Sequence, residues 1–251
     1  MIIVKTPEQI ENIRSACQIV AGALREVETR IGPGVSTGEL DKFVEGYIRD
    51  NGGEPAFIGY RGYKYATCTS LNHEVVHGLP GRAVLKAGDI LGLDIGAKVN
   101  GYYGDAARTF AVGEIPKKTR KLLKSTEEAL AAGITQARDG NHLGDISAAI
   151  EKVAERHGFS VVRDLYGHGV GIELHEDPLI PNFGEPGHGP LLKENMVLAI
   201  EPMLNVGGSN IRMLADKWTI ITEDRSLSAH FEHTILVRKG EAEILTWLQK
   251  M

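Results

Sequence analysis

Only two cysteines, Cys17 and Cys68, occur in 251 residues, too few for a disulfide-framed secreted module or a cysteine-rich zinc fold. Long apolar runs are also missing. The longest, such as 196–200 (MVLAI), fall far short of the ~18–20 residues that span a bilayer, so no membrane segment is expected. The N-terminus, MIIVKTPEQIENIR, has no basic start leading into an apolar stretch, which argues against a secretory leader. Positive charge is not in excess. The 28 Lys and Arg residues against 33 Asp and Glu give a net charge of −5 and a pI near 6.0, whereas a general nucleic-acid binder needs a basic face. No stretch reads as a linker. These absences leave a soluble, cytoplasmic globular protein. Its 42% apolar content is ample for a packed core, and its length corresponds to one large domain or two small ones.

Helical spacing is clearest near the start. Thr6 caps a helix with Pro7 at its first position, and Ile10, Ile13, Ala16, Val20 and Leu24 follow on one face. A second helix is predicted from Ser36 or Thr37 to Asp50, with Leu40, Phe43, Val44 and Ile48 on one face and Gly52 and Gly53 just beyond. A shift of 106 residues lays Gly34, Gly38, Leu40, Val44, Glu45 and Gly52 onto Gly140, Gly144, Ile146, Ile150, Glu151 and Gly158. A helix predicted over 119–137 precedes the second copy as the Pro7 helix precedes the first. The pattern predicts one domain, 1–251, of two related halves, about 1–113 and 114–251. After each helix pair the period changes to strands: Val84 with Leu85, then 90–99, 197–200, 218–222 and 229–237. Asn100-Gly101 marks a tight hairpin. The expected fold is α+β, a mainly antiparallel sheet with helices covering one side.

In that hairpin Asp105 falls opposite Gly96, and Asp94 precedes Gly96 by two residues on the same face. The two carboxylates are therefore diagonal neighbours, roughly 7–8 Å apart at the backbone, across a position without a side chain. Such a pair repels unless protonated or bridged by a cation. Exposed acids at strand ends would be the ordinary alternative, but both lie in apolar strand contexts, ILGLDIG and GDAARTF. Further ligand-type residues stand in similar surroundings. His168 lies in YGHGVG, Glu201 ends the run MVLAI before Pro202, and Glu232 lies in HFEHTILV. Buried acids need a compensating partner. One histidine and four carboxylates suit two hard or borderline divalent ions, such as Mn, Fe or Co, better than a closed zinc site.

With these residues in place the chain resembles the methionine aminopeptidases of type I, the short bacterial form with the pita-bread (creatinase/aminopeptidase) fold. The segments that carry the resemblance are NHEVVHGLPG (72–81), LDIGAKVNGYYGDAARTF (93–110), YGHGVGIELHEDP (166–178), IEPM (200–203) and DRSLSAHFEHTILV (224–237). It implies two pseudo-symmetric halves and metal-dependent removal of N-terminal methionine from peptides and nascent proteins, with a small second residue preferred. It also implies two divalent ions (Co, Mn, Fe or Zn) held by Asp94, Asp105, His168, Glu201 and Glu232. Asp105 and Glu232 would bridge the ions, Asp94 would complete one site, and His168 and Glu201 the other. In the chemistry so implied, hydroxide from an ion-activated water attacks the first peptide bond while Glu201 takes the proton. His175 would contact the scissile amide and its developing oxyanion, and His77 would steady the substrate backbone. The substrate amine would sit near one ion and Asp94.

By position, the pocket for the methionine thioether would draw on Tyr60, Tyr63, Cys68, Leu174 and Trp218. Ordinary core burial explains Cys68 and Leu174 equally well. The sequence departs from the best-known bacterial members at Phe57 and Arg61, where they resemble one another in carrying cysteine and histidine, and at Leu174, where they carry phenylalanine. These departures bear on pocket shape and the second substrate residue, not on hydrolysis. His73, His142, His157, His188, His230 and His233 read as surface or structural.

Three other readings are weaker. Prolidases share the ligand pattern but carry an extra N-terminal domain, whereas this sequence starts directly with the first helix. Type II relatives have a long insertion between the last two metal-binding glutamates, for which the short span from Glu201 to Glu232 leaves no room. A non-catalytic module would be expected to lose ligands, and all five are present. The basic run Lys117, Lys118, Arg120, Lys121 and Lys124 reads as a solvated helix face. Its functional alternative is a weak ribosome contact. A monomer is the default expectation.

Overall fold

The computed structural model describes residues 2–247. Four α-helices stand among the described residues: α1 (Pro7–Glu28), α2 (Thr37–Asp50), α3 (Lys117–Gln136) and α4 (Leu143–His157). The strands are β1 (Glu54–Pro55), β2 (Thr67–Leu71), β3 (Glu74–Val76), β4 (Ile90–Val99), β5 (Tyr102–Ala111), β6 (Ser160–Val161), β7 (Tyr166–Gly169), β8 (Glu176–Pro181), β9 (Val197–Ile200), β10 (Met203–Asn205), β11 (Ile211–Met213), β12 (Ile220–Thr222), β13 (Ser228–His230), β14 (His233–Leu236) and β15 (Glu243–Ile244).

The predicted caps form. The Thr6 hydroxyl accepts from Gln9 N while Gln9 Oε1 accepts from Thr6 N, and Ser36 and Glu39 repeat this capping box at α2. Helix α3 begins two residues before the expected 119, because the Pro116 carbonyl already accepts from Arg120 N. The apolar stripes of α1 and α2 (Val20, Leu24, Leu40, Val44 and Ile48) pack on Leu91, Leu93 and Ile95 of β4. Those of α3 and α4 (Leu122, Leu130, Ile146 and Ile150) pack on Leu198, Ile200 and Ile235. The first turns of α1 reach across as well: Ile10, Ile13 and Cys17 bury against Val170, Val197 and Leu236. The bonds around the two glycine turns recur, the donor glycines at the spacing seen in the sequence and their acceptors one residue further on. Gly34 N and Gly38 N donate to Leu85 O and Gly81 O, and Gly140 N and Gly144 N donate to Leu192 O and His188 O.

Strand pairing is antiparallel throughout the named ladders, but it is divided among four small sheets rather than one. The hairpin forms as expected, with Asn100 (φ 51°) and Gly101 (φ 86°) in its turn. Three strand expectations change. Val84 makes only an isolated bridge to Ser36, and the strand expected over 218–222 is confined to Ile220–Thr222. Backbone and side-chain groups of Asp216, Trp218 and Thr219 form a turn instead.

The run expected over 229–237 is two strands, not one. β13 pairs with β10 in a three-stranded sheet, and β14 pairs with β9 in a five-stranded sheet. The ladder is interrupted between Ile200 opposite His233 and Met203 opposite His230. Pro202 lies in that gap and has no N–H to donate. Glu232 N bonds instead to Ala107 O of β5 at 2.8 Å. The break sets Glu201 and Glu232 opposite each other where the hairpin and two other sheets meet.

Candidate active site

The hairpin register supplies the first two acids. Gly96 pairs with Asp105 and Asp94 with Ala107, the diagonal relation that the turn position predicts. The position between them is not open, because a Cβ on Gly96 would lie 2.6 Å from the Phe57 ring. Phe57 therefore walls the site where an empty gap was expected. His168 projects from β7, opposite Ala199 of β9. Its Nδ1–H donates to Gly169 O at 2.9 Å; that bond assigns the tautomer and leaves the lone pair on Nε2, which lies 3.6 Å from Glu201 Oε1.

One cavity of about 320 Å³ is lined by Asp94, Asp105, His168, Glu201 and Glu232 together with His77 and His175. Asp105, His168 and Glu232 each offer a ligand atom within 4.8 Å of the others, and so do Glu201, His230 and Glu232. Asp94 lines the same cavity beside Asp105. Burial pushes Asp94 and Glu201 up to about 7. Asp105 and Glu232 go well above the ordinary carboxylate range, through burial first and then repulsion from Asp94 and Asp105 respectively. The histidines move the other way. Burial holds His77 near about 4 and His175 near about 3, with the neighbouring His230 and His168 adding to it. Both are neutral imidazoles at pH 7, each with one N–H to donate.

The apolar end of the cavity holds every residue expected there: Tyr60, Tyr63, Cys68, Leu174 and Trp218. Tyr63 packs edge-on to Trp218 with centroids 4.8 Å apart, and Tyr60 stacks on His175 at 5.1 Å. Cys68 and Leu174 are thus both core and wall, with Leu174 2% exposed. Cys68 is held as a neutral thiol by burial and by Asp94. His77 sits at φ 59°, a left-handed conformation uncommon outside glycine. The following Gly78 has no room for a side chain, since a Cβ there would lie 2.2 Å from Thr69 O. The His175 loop is tied down by Glu176, which accepts from Ile172 N and Glu173 N and pairs with the buried Lys5. Lys5→Met should destabilise the fold by about 3–5 kcal/mol, the usual cost of leaving one member of a buried ion pair alone. Urea unfolding measures it, and a change under about 1 kcal/mol, the worth of an exposed pair, would contradict this role.

Two residues at the site, Leu179 in the cavity lining and His230 behind Glu201, have no counterpart among the expected ones. Leu179 is 60% exposed at the rim, and no sequence signal marks it. His230, expected to be surface or structural, is neither peripheral nor paired. Its ring is buried, and its Nε2 lies 3.3 Å from Glu201 Oε2 without hydrogen-bond geometry. Its place two residues before Glu232, on the same side of an expected strand, is the signal that could have found it. His233 is structural, bonded through Nδ1 to Thr246 Oγ1 at 2.8 Å. His73, His142, His157 and His188 lie outside the cavity lining.

The cavity is rich in carboxylates and walled on one side by aromatic residues. The sequence pattern of metallopeptidase family M24 matches residues 11–239, and the chain belongs to that family. Methionine aminopeptidase 1 of Bacillus subtilis (strain 168) is 50% identical over 246 residues, 98% of this chain and 99% of that protein. The crystal structure of methionine aminopeptidase from Thermotoga maritima superposes with a TM-score of 0.97 at 48% identity, covering 99% of this chain and 100% of that one. The prolidase from Pyrococcus furiosus matches less well, at TM-score 0.80 and 27% identity, and this chain spans 66% of it.

Family membership implies a divalent metal, and the residues present fit one. Asp94 Oδ1, Asp105 Oδ1, Glu232 Oε1 and His230 Nε2 are buried without a hydrogen-bond partner. Each such group costs about 1–3 kcal/mol if left unsatisfied, and clustered carboxylates are what a hard or borderline cation takes.

Proposed function

We propose that this cavity is the active site of an aminopeptidase that removes N-terminal methionine, with a small residue preferred in second position, from peptides and nascent chains. The observation that carries the reading is the convergence of four acids, Asp105 and Glu232 buried and Asp94 and Glu201 half-buried, with His168 in a cavity also walled by aromatic and apolar residues. Asp94, Asp105, His168, Glu201 and Glu232 would hold two divalent ions. When bound, the ions supply a water of lowered pKa and positive charge against the scissile carbonyl.

The chain's own groups do the rest. Glu201 takes the proton from the attacking water. His175 donates its N–H to the carbonyl oxygen as negative charge develops there, and His77 donates to the substrate backbone. Asp94 faces the free amine, which limits attack to the first peptide bond. Tyr60, Tyr63, Cys68, Leu174 and Trp218 enclose the unbranched thioether. Residues 1–251 act as one catalytic domain whose halves, about 1–113 and 114–251, repeat the same glycine-turn bonds.

Metal-stripped protein given Mn or Co should release methionine from Met-Ala-Ser and leave Leu-Ala-Ser and Ala-Pro-Ala intact. Cleavage of Ala-Pro-Ala instead would assign the site to prolidase chemistry. Absence of cleavage with metal bound would remove the catalytic reading.

A further inference from the structure

We propose that His230 is a sixth protein donor to the metal centre, offering Nε2 beside Glu201 and Glu232; the inference rests on the metal-centre reading above. The ring is 4% exposed, and its Nε2 has no hydrogen-bond partner. A buried ring nitrogen is ordinarily paired. A structural histidine next to Glu201 would satisfy both by a hydrogen bond, yet at 3.3 Å the two atoms are not aligned for one. Instead Nε2 and one oxygen each of Glu201 and Glu232 lie within 4.8 Å of one another, a spacing that donors to one ion can have.

The backbone holds the ring there. His230 N donates to Thr109 Oγ1 at 2.9 Å, and the same hydroxyl donates to His230 O at 2.8 Å. Thr109 lies on β5, the strand that carries Asp105, so one side chain links the position of His230 to that of the hairpin acid. On the other side, His230 pairs with Met203 at the last rung before the ladder breaks. The residue is therefore fixed from two strands at the edge of the gap that exposes Glu201 and Glu232.

A second imidazole changes the donor chemistry. Imidazole nitrogen suits Zn and later first-row ions, affinity for a given site rises from Mn to Co, and a set richer in carboxylate suits Mn. His230 should therefore shift selectivity toward the nitrogen-preferring ions.

The test is made on the full chain loaded with Co(II). In the proton NMR spectrum of the wild type, exchangeable paramagnetically shifted N–H signals should number two, from His168 and His230. His230→Gln should remove one of them. It should also weaken Co(II) binding by calorimetry by roughly tenfold or more, at least what losing an outer partner of a ligand costs, and weaken Mn(II) binding less. A single shifted signal in tightly Co-loaded wild type would overturn the role of His230 and leave the metal centre standing. Failure of the wild type to bind Co(II) at all would overturn the metal-centre reading itself. The wild-type signal count decides the question even if the variant does not fold.

Discussion

Glu232→Gln should abolish metal-dependent activity and, in the absence of metal, make the protein more stable. Glu232 stands in both ligand groups, with Asp105 and His168 and with Glu201 and His230, so its loss damages both at once. The fall in kcat/KM should exceed the ~10- to 100-fold typical of a lost outer-shell partner by a wide margin. Without metal the balance reverses. The Glu232 carboxyl is buried against Asp105, Glu201 and Asp94, and its Oε1 has no partner. An amide of the same shape needs no proton to stay neutral and can donate to a neighbouring carboxylate. Relief of about 1–3 kcal/mol is expected, and each kcal/mol is worth about 2–4 °C in a chain of this size. Thermal melts in chelator and in Co(II) measure both halves. A lower melting temperature in chelator would mean that Glu232 is there for the fold and not for the ion.

The metal-free protein should lose stability as pH rises above about 6.5, and metal should reverse that slope. Asp94 and Glu201 are raised to about 7, and Asp105 and Glu232 well above their usual range. In this range the folded chain keeps protons that the unfolded chain has already released, so stability falls as pH climbs through the folded values. Below about 6.5 an opposite contribution enters. His77 and His230 near about 4 and His175 near about 3 stay neutral in the fold while their unfolded forms take up protons. That contribution makes stability rise with pH between about 4 and 6.5, against the acids, so the clean window lies above it. Several kcal/mol are at stake between pH 6.5 and 8.5, since one pKa unit is worth about 1.4 kcal/mol. Metal binding requires the ionised ligands, so the loaded protein should grow more stable over the same interval. A chelated protein equally stable at pH 6.5 and 8.5 would show that the acids are not buried together.

Both predictions concern acids that the sequence already marks. Thr6 before Pro7 and the start at Ser36 or Thr37 are local signals, and local signals are legible because a cap depends on neighbouring residues. The Asp94–Asp105 relation is legible for a similar reason: a two-residue turn at Asn100-Gly101 sets the register of everything that follows it. Glu201 and Glu232 can be nominated from their apolar contexts, but not their meeting. That depends on the chain leaving one sheet for another at Pro202 and Phe231, and sheet membership is a property of distant partners.

The amino-acid sequence by itself determined the helices and the hairpin, because each follows from spacing within a short window, and it marked the paired glycine turns through the 106-residue repeat and the acids through their apolar contexts. Tertiary structure alone decided that the acids share one cavity, that Phe57 closes the space at Gly96, and that Lys5 anchors the His175 loop. It alone turned His230 from a bystander into a neighbour of Glu201. These contacts join residues far apart in the chain, and burial together makes their charges costly enough to require an ion.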